Sequence, residues 1–358
     1  MRQEHDKHPP ANGSMKPLAC RKGAVLRRAA GGLLLFLFGG VLAASPCVTA
    51  PLDPAVLREV PLEASIQSAP PDITALALRR NLANGVAIEP RPAPLDHPVA
   101  GALRRMLASL PQPLRVLAEN HVAAIYLLQD NFGSARVEAA RDGQGHLIGG
   151  CILLNLDALA RTANAWASWR EGSAFRTDDR YRLQVTLEAA ETDSVENAAR
   201  FLFLHELGHV VGMAAGVHGF WAAPETWPTT VHSPFTRLSW STDGNRWLSP
   251  WQQRSPVLTL PRFYRFHAAP LPLSVAPLVY RALGETDWPS LYGSSDPYED
   301  FAETFAIYVH TRLLHRPFRV DLYLGSERVG EFRSCLDTGR CPAKLALMAR
   351  LLSADRER

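Results

Sequence analysis

The stretch from Ser194 to Gly212 constrains this chain more than any other. It reads Ser-Val-Glu-Asn-Ala-Ala-Arg-Phe-Leu-Phe-Leu-His-Glu-Leu-Gly-His-Val-Val-Gly. A capping residue before an apolar run and a glycine at its end predict a buried helix over 193–212, with Asp193 or Ser194 as cap and Glu196 in the first turn. His205 and His209 are four apart, so both imidazoles leave the same helix face. Glu206 is offset around the helix from that face. Two imidazoles and a carboxylate are costly to bury without partners. One Zn²⁺ ion meets that need, with His205 and His209 as ligands and Glu206 placed to hold a water and take its proton. Gly208 and Gly212 remove bulk from the same helix. The competing reading of the five-residue pattern alone is a pair of hydrogen-bonded core histidines.

A catalytic zinc ion usually has three protein ligands and one open position. A third histidine six residues beyond His209 is excluded, because Ala215 occupies that position. Ninety residues beyond His209 comes Asp296-Pro297-Tyr298-Glu299-Asp300-Phe301-Ala302-Glu303-Thr304-Phe305-Ala306. Asp296 suits a helix cap and Pro297 the first helical turn. Glu299 and Glu303 share one face of that helix, and Phe301, Ala302, Phe305 and Ala306 argue that it is buried. Ala302 and Ala306 would let it approach another helix closely. Two like charges on a buried helix need a nearby cation. Glu299 is therefore expected to bind the metal, and Glu303 to accept a hydrogen bond from the outer nitrogen of a ligand histidine. The reverse assignment, with Glu303 on the metal, stays open here, as does a solvated helix face carrying both acids.

The pair His205-Glu206-x-x-His209 and Glu299-x-x-x-Glu303 resembles the gluzincin metallopeptidases. The segment Tyr292…Glu299-Asp300-Phe301-Ala302-Glu303 is similar to the catalytic domain of anthrax lethal factor and to the secreted Pro-Pro endopeptidases. The resemblance implies a zincin-like α+β fold: a small antiparallel or mixed sheet packed on an active-site helix, followed by a mostly helical C-terminal part. It implies Glu299 on zinc and Glu303 behind a histidine. It also implies that Tyr292, seven residues before Glu299, faces the metal and steadies the oxyanion of a tetrahedral intermediate, with Tyr298 as the rival phenol. A substrate-holding edge strand is expected at Gly149–Leu154.

The rest of the chain divides around that site. Seven of the 38 Lys/Arg and two of the 35 Asp/Glu lie in residues 1–45, which leaves 31 basic against 33 acidic residues in the remainder. The main body is not basic, so nucleic acid is not an expected partner. Arg21-Lys22 and Arg27-Arg28 before the uncharged Ala29–Ala44 read as a signal peptide or an N-terminal membrane anchor, with small residues at Ala43-Ala44-Ser45 for cleavage. Met15 offers an alternative start, and Cys47 a weak lipidation site. An exported protein, periplasmic or secreted, is expected. Cys335 and Cys341 bracket a turn-rich loop and are expected to pair in an oxidising compartment.

Residues 46–98, rich in Pro and Ala, read as a linker around one short helix near 73–83, and the ordered domain is expected over 99–358. Helices are expected at 101–110, 114–121, 157–171, 275–283, 297–314 and 342–352. Strands are expected at 122–128, 135–140, 147–154, 181–189, 319–324 and 329–333. Residues 216–273 show no periodicity, and a long loop inside a compact domain is more often functional than idle. The expected function is hydrolysis of peptide bonds in a peptide or protein substrate by a zinc endopeptidase. The competing class is an inactive zincin-fold exported protein that binds a partner at the membrane or in the periplasm.

Overall fold

A computed structural model describes residues 61–265 and 270–354 of the 358. The expected leader, Cys47 and the first part of the expected linker lie outside the described residues. All described residues belong to one compact unit. It is a mixed α+β body with small sheets.

The described part of the Pro/Ala-rich stretch is not a passive connector. Ile66–Ser68 forms strand β1, Pro71–Ala83 helix α1 and Arg91–Pro92 strand β2. Leu62, Ile66, Ile73 and Leu76 are buried, so order begins well before Val99. Composition hid this because four apolar anchors at irregular spacing suffice when a ready-made sheet edge supplies the rest of the surface. Helices α2 (Pro98–Ala108) and α3 (Gln112–His121) follow, each with a proline in its first turn.

Strands β3 (Val122–Gln129), β4 (Ala135–Arg141) and β5 (Leu147–Asn155) complete the main sheet, in the order β1-β3-β5-β4, with β2 against the end of β3. The β1–β3 and β3–β5 pairs are parallel and β4–β5 is antiparallel. The β4–β5 turn is held by Asp142 Oδ1, which accepts from Gln144 N and His146 N at 2.9 and 2.8 Å. Interior strands buried on both faces read as apolar runs, as Ile152-Leu153-Leu154 does. One face packs on α1 and the other on the helices that carry the site. At Gly149 (φ 153°) a Cβ would collide with the His121 carbonyl, so only glycine lets β5 start against the end of α3.

The expected helix at 157–171 is shorter: α4 spans Ala163–Gly172, after a turn. Its N-terminal amide at Asn164 is capped by Asp193 Oδ1 at 2.9 Å, which explains why Ser194 is left to cap the motif helix. That helix, α5, runs Val195–Ala214, and Ser194 Oγ accepts from Asn197 N at 3.2 Å. The strand expected at 181–189 ends earlier. As β6 (Tyr181–Thr186) it lies outside the main sheet and pairs with a later hairpin.

Residues 216–273 hold short helical turns and a small hairpin, β7 (Ser241–Asp243) and β8 (Arg246–Leu248). Helix α6 (Ala276–Leu283) precedes α7 (Pro297–Tyr308), which passes into a π-turn at Val309–Leu313 instead of running to 314 as one regular helix. Strands β9 (Arg319–Leu324) and β10 (Glu327–Arg333) form the hairpin that joins β6. Cys335 and Cys341 are bonded, with Cα atoms 5.4 Å apart, and α8 (Pro342–Ala354) ends the described chain.

Candidate metal centre

Helices α5 and α7 meet backbone to backbone. A Cβ on Gly208 would stand 2.9 Å from Ala302 Cα and 3.1 Å from its carbonyl oxygen. The small residues singled out on both helices therefore permit the approach that unites the two halves of the motif. Asp296 Oδ1 accepts from Tyr298 N and Glu299 N at 2.9 and 3.0 Å, which starts α7 with Glu299 in its first turn.

The outcome is a three-donor cluster. Glu299 Oε2 lies 3.1 Å from His205 Nε2 and 3.4 Å from His209 Nε2. One donor atom from each of the three lies within 4.8 Å of the others. Glu299 Oε2 is buried, yet it meets neither imidazole with hydrogen-bond geometry. A buried carboxylate oxygen without a hydrogen-bond partner, close to one nitrogen of each imidazole, is a donor set that could hold one cation. The residues present therefore fit a His₂Glu zinc site. Burial raises the Glu299 pKa, but the imidazoles of His209 and His205 outweigh it and hold the carboxyl far below the ordinary carboxylate range.

Glu303 stands behind His205 and not among the three donors. Its Oε1 receives His205 Nδ1 at 2.8 Å, which leaves Nε2 to face Glu299. Arg170 from α4 binds the same carboxylate through Nη1 at 2.8 Å and Nη2 at 3.1 Å, and Ser290 Oγ donates to it at 2.6 Å. Burial raises the Glu303 pKa, but Arg170 first and His205 next outweigh it and bring it down to about 2. Arg170 and Ser290 were not foreseen. Arg170 stands four residues after Trp166 on one face of α4, and a cation on the face of a large aromatic residue is the available signal. Ser290 left no comparable trace in the sequence.

No family model, curated protein or solved structure matches this chain.

Glu206 is buried beside the donors and lines the same cavity, of about 320 Å³, as His205, His209 and Glu299. Burial is the largest influence on its carboxyl and raises the pKa, against the attraction of both histidines. The Tyr292 hydroxyl lies 3.5 Å from Glu299 Oε1, and its ring lies 5.6 Å from that of His205. Burial, then Glu299, pushes its pKa well above the usual tyrosine value, so the phenol keeps its proton. The rival Tyr298 also lines the cavity, but its hydroxyl is 3.4 Å from Thr230 Oγ1.

The long irregular segment supplies much of the wall. Trp221 sits 5.5 Å from the His209 ring, and Trp247, from the β7–β8 hairpin, lines the cavity beside it. Tyr264, with φ 55°, lines both this cavity and a neighbouring one of about 680 Å³. A further cavity, of about 380 Å³, shares Trp247, Tyr292 and Glu299 with the centre. The strand expected to hold substrate is corrected: Gly149–Leu154 lies in β5, between β3 and β4 with its backbone paired on both sides, and β4 is the edge strand at the cavity. Position along the sequence could not show which hairpin arm would be outermost, because a parallel partner for β5 arrives from earlier in the chain.

Proposed function

We propose that this protein is a zinc-dependent endopeptidase of zincin-like fold. The observation that carries the reading is the convergence of His205 Nε2, His209 Nε2 and Glu299 Oε2 in a cavity that also holds Glu206. His205, His209 and Glu299 would hold a zinc ion, which when bound would supply a Lewis acid for the scissile carbonyl and lower the pKa of the attacking water. Glu206 accepts the proton of that water and passes it to the leaving amine. Tyr292 donates a hydrogen bond to the carbonyl oxygen as negative charge develops there. Glu303, fixed by Arg170 and Ser290, sets the tautomer and ring orientation of His205. Two further cavities, one sharing Tyr264 and the other Trp247 with the centre, leave room for a peptide longer than the scissile bond alone.

Export remains part of the proposal, resting on the basic and apolar leader and consistent with the Cys335–Cys341 bond. Among the described residues no helix is long and apolar enough to cross a membrane. The test is zinc content and cleavage of a broad peptide library by the purified protein. Stoichiometric zinc with cleavage lost in Glu206→Gln supports the reading. Absence of zinc from native protein refutes it, and zinc without cleavage of any peptide favours the partner-binding alternative.

A further inference from the structure

Arg136 lies on β4, the edge strand, opposite Leu153 of β5. Its side chain is half-buried and lines the cavity that holds His205, Glu206, His209 and Glu299. Among the described residues it makes no hydrogen bond and no ion pair. Two carboxylates act on its charge, and neither is in contact with it. Glu138, two residues along the strand, is bound by Arg80 through two contacts of 2.8 Å. Glu206 lines the same cavity and attracts Arg136 without forming an ion pair with it. Burial lowers the Arg136 pKa, with Glu138 the strongest attraction acting against it. A guanidinium partly taken out of water with no carboxylate in contact gains from a partner that arrives from outside.

We infer that Arg136 forms an anion subsite that selects a substrate carrying a carboxylate next to the bond it presents to the metal centre. This rests on the peptidase reading above and gives it a substrate class. An extended peptide adds to an exposed sheet edge by main-chain hydrogen bonds, and its side chains then stand beside those of the edge strand. Directly opposite residues on paired strands have Cβ atoms about 4.5–5.5 Å apart, and opposite charges there attract. A peptide added to β4 thus places one of its side chains, or its own C-terminal carboxylate, within reach of the Arg136 fork. That fork matches a carboxylate with two parallel hydrogen bonds. The wall of Trp221, Trp247 and Tyr298 suits apolar neighbours of the acidic group.

The experiment uses the full chain, zinc-loaded and immobilised as Glu206→Gln so that bound peptides are not consumed. A synthetic peptide mixture is passed over it in two forms, with free and with amidated C-termini, and retained peptides are read by mass spectrometry. Asp and Glu should be enriched at one position, the enrichment should vanish with Arg136→Gln, and Lys or Arg should replace them with Arg136→Glu. Enrichment that survives amidation assigns a side chain, and enrichment lost on amidation assigns the C-terminal carboxylate. Retained peptides without acidic bias, a bias unchanged by Arg136→Glu, or no retained peptide overturn the subsite. Zinc content and circular dichroism of the variants guard against misfolding. In cleavage by the otherwise wild-type enzyme, Arg136→Gln should raise KM for a selected acidic peptide by about ten- to a hundredfold and leave KM for the same peptide with Asn or Gln in place of the acid unchanged. An equal change for both peptides would place Arg136 in support of Glu206, whose charge it attracts, and overturn the subsite. Acid-dependent retention with no cleavage by wild type refutes the peptidase reading and leaves the subsite standing.

Discussion

Glu303 holds His205 by its outer nitrogen at 2.8 Å while Arg170 grips the same carboxylate from a third helix. The imidazole is thereby fixed by a buried ion pair that touches no donor atom of the centre. Breaking it should loosen the metal without removing a ligand. Glu303→Gln is expected to weaken zinc affinity about 10- to 100-fold, whereas Glu299→Ala should lose stoichiometric zinc at the same free concentration. Competition titration against a chelator measures both. Equal losses in the two variants would mean that Glu303 is itself a ligand.

Arg170 is 2% exposed. Arg170→Met should leave Glu303 charged, buried and short of its main partner, at a cost of about 3–5 kcal/mol. Denaturant unfolding of zinc-free protein gives the difference without contribution from metal binding. A loss below about 1 kcal/mol would show that the pair is not needed for the fold.

Glu206→Gln keeps the shape of the side chain but cannot take a proton. With the three donors untouched, zinc content and Tm should stay near wild type while turnover falls by roughly 10²–10⁴-fold. Unchanged cleavage would refute the mechanism.

Tyr292→Phe removes one hydroxyl 3.5 Å from Glu299 and leaves the ring packing of Phe263 and Arg170 in place. Loss of an oxyanion donor typically costs about 10²–10³ in kcat. The fall should appear in kcat with KM little changed, and the matching Tyr298→Phe should be close to neutral. A larger effect at Tyr298 would reverse the assignment.

His310 lies away from the centre and is buried, with Nε2 donating toward Leu187 O at 2.9 Å and Pro317 O at 3.1 Å. Burial lowers its pKa to about 4, and the nearby Arg316 and Arg200 act in the same direction against the two carbonyls. The unfolded chain has a histidine pKa of about 6.5. Between these values the unfolded state binds the extra proton, so this contribution to stability is full above pH 6.5 and is lost as pH falls toward 4. Glu171 and Asp300, whose pKa values burial raises to about 7 and about 6, act with the opposite sign over overlapping pH ranges. The difference between wild type and His310→Gln isolates the histidine. Its pH slope should amount to roughly 2–3 kcal/mol between pH 6.5 and 4, and parallel curves would exclude the effect.

The sequence by itself determined the two helices of the site and the faces they present. Helical periodicity puts His205 with His209 and Glu299 with Glu303, and Ser194 and Asp296 mark where each helix starts. It also showed the β4–β5 turn and the Cys335–Cys341 loop, because these are local. Only the tertiary structure decided what crosses between distant segments. Both acids face α5, and only packing put Glu299 Oε2 beside the two Nε2 atoms and Glu303 against the outer nitrogen of His205, since periodicity places both on one face without saying which meets which atom. Arg170, 133 residues from Glu303, could not be linked to it by any periodicity. The edge of the sheet, and with it the place of Arg136, followed from a parallel β1–β3–β5 order whose partners are separated in sequence. Periodicity encodes a face for each element, but the neighbour that covers that face is set by packing over the whole chain.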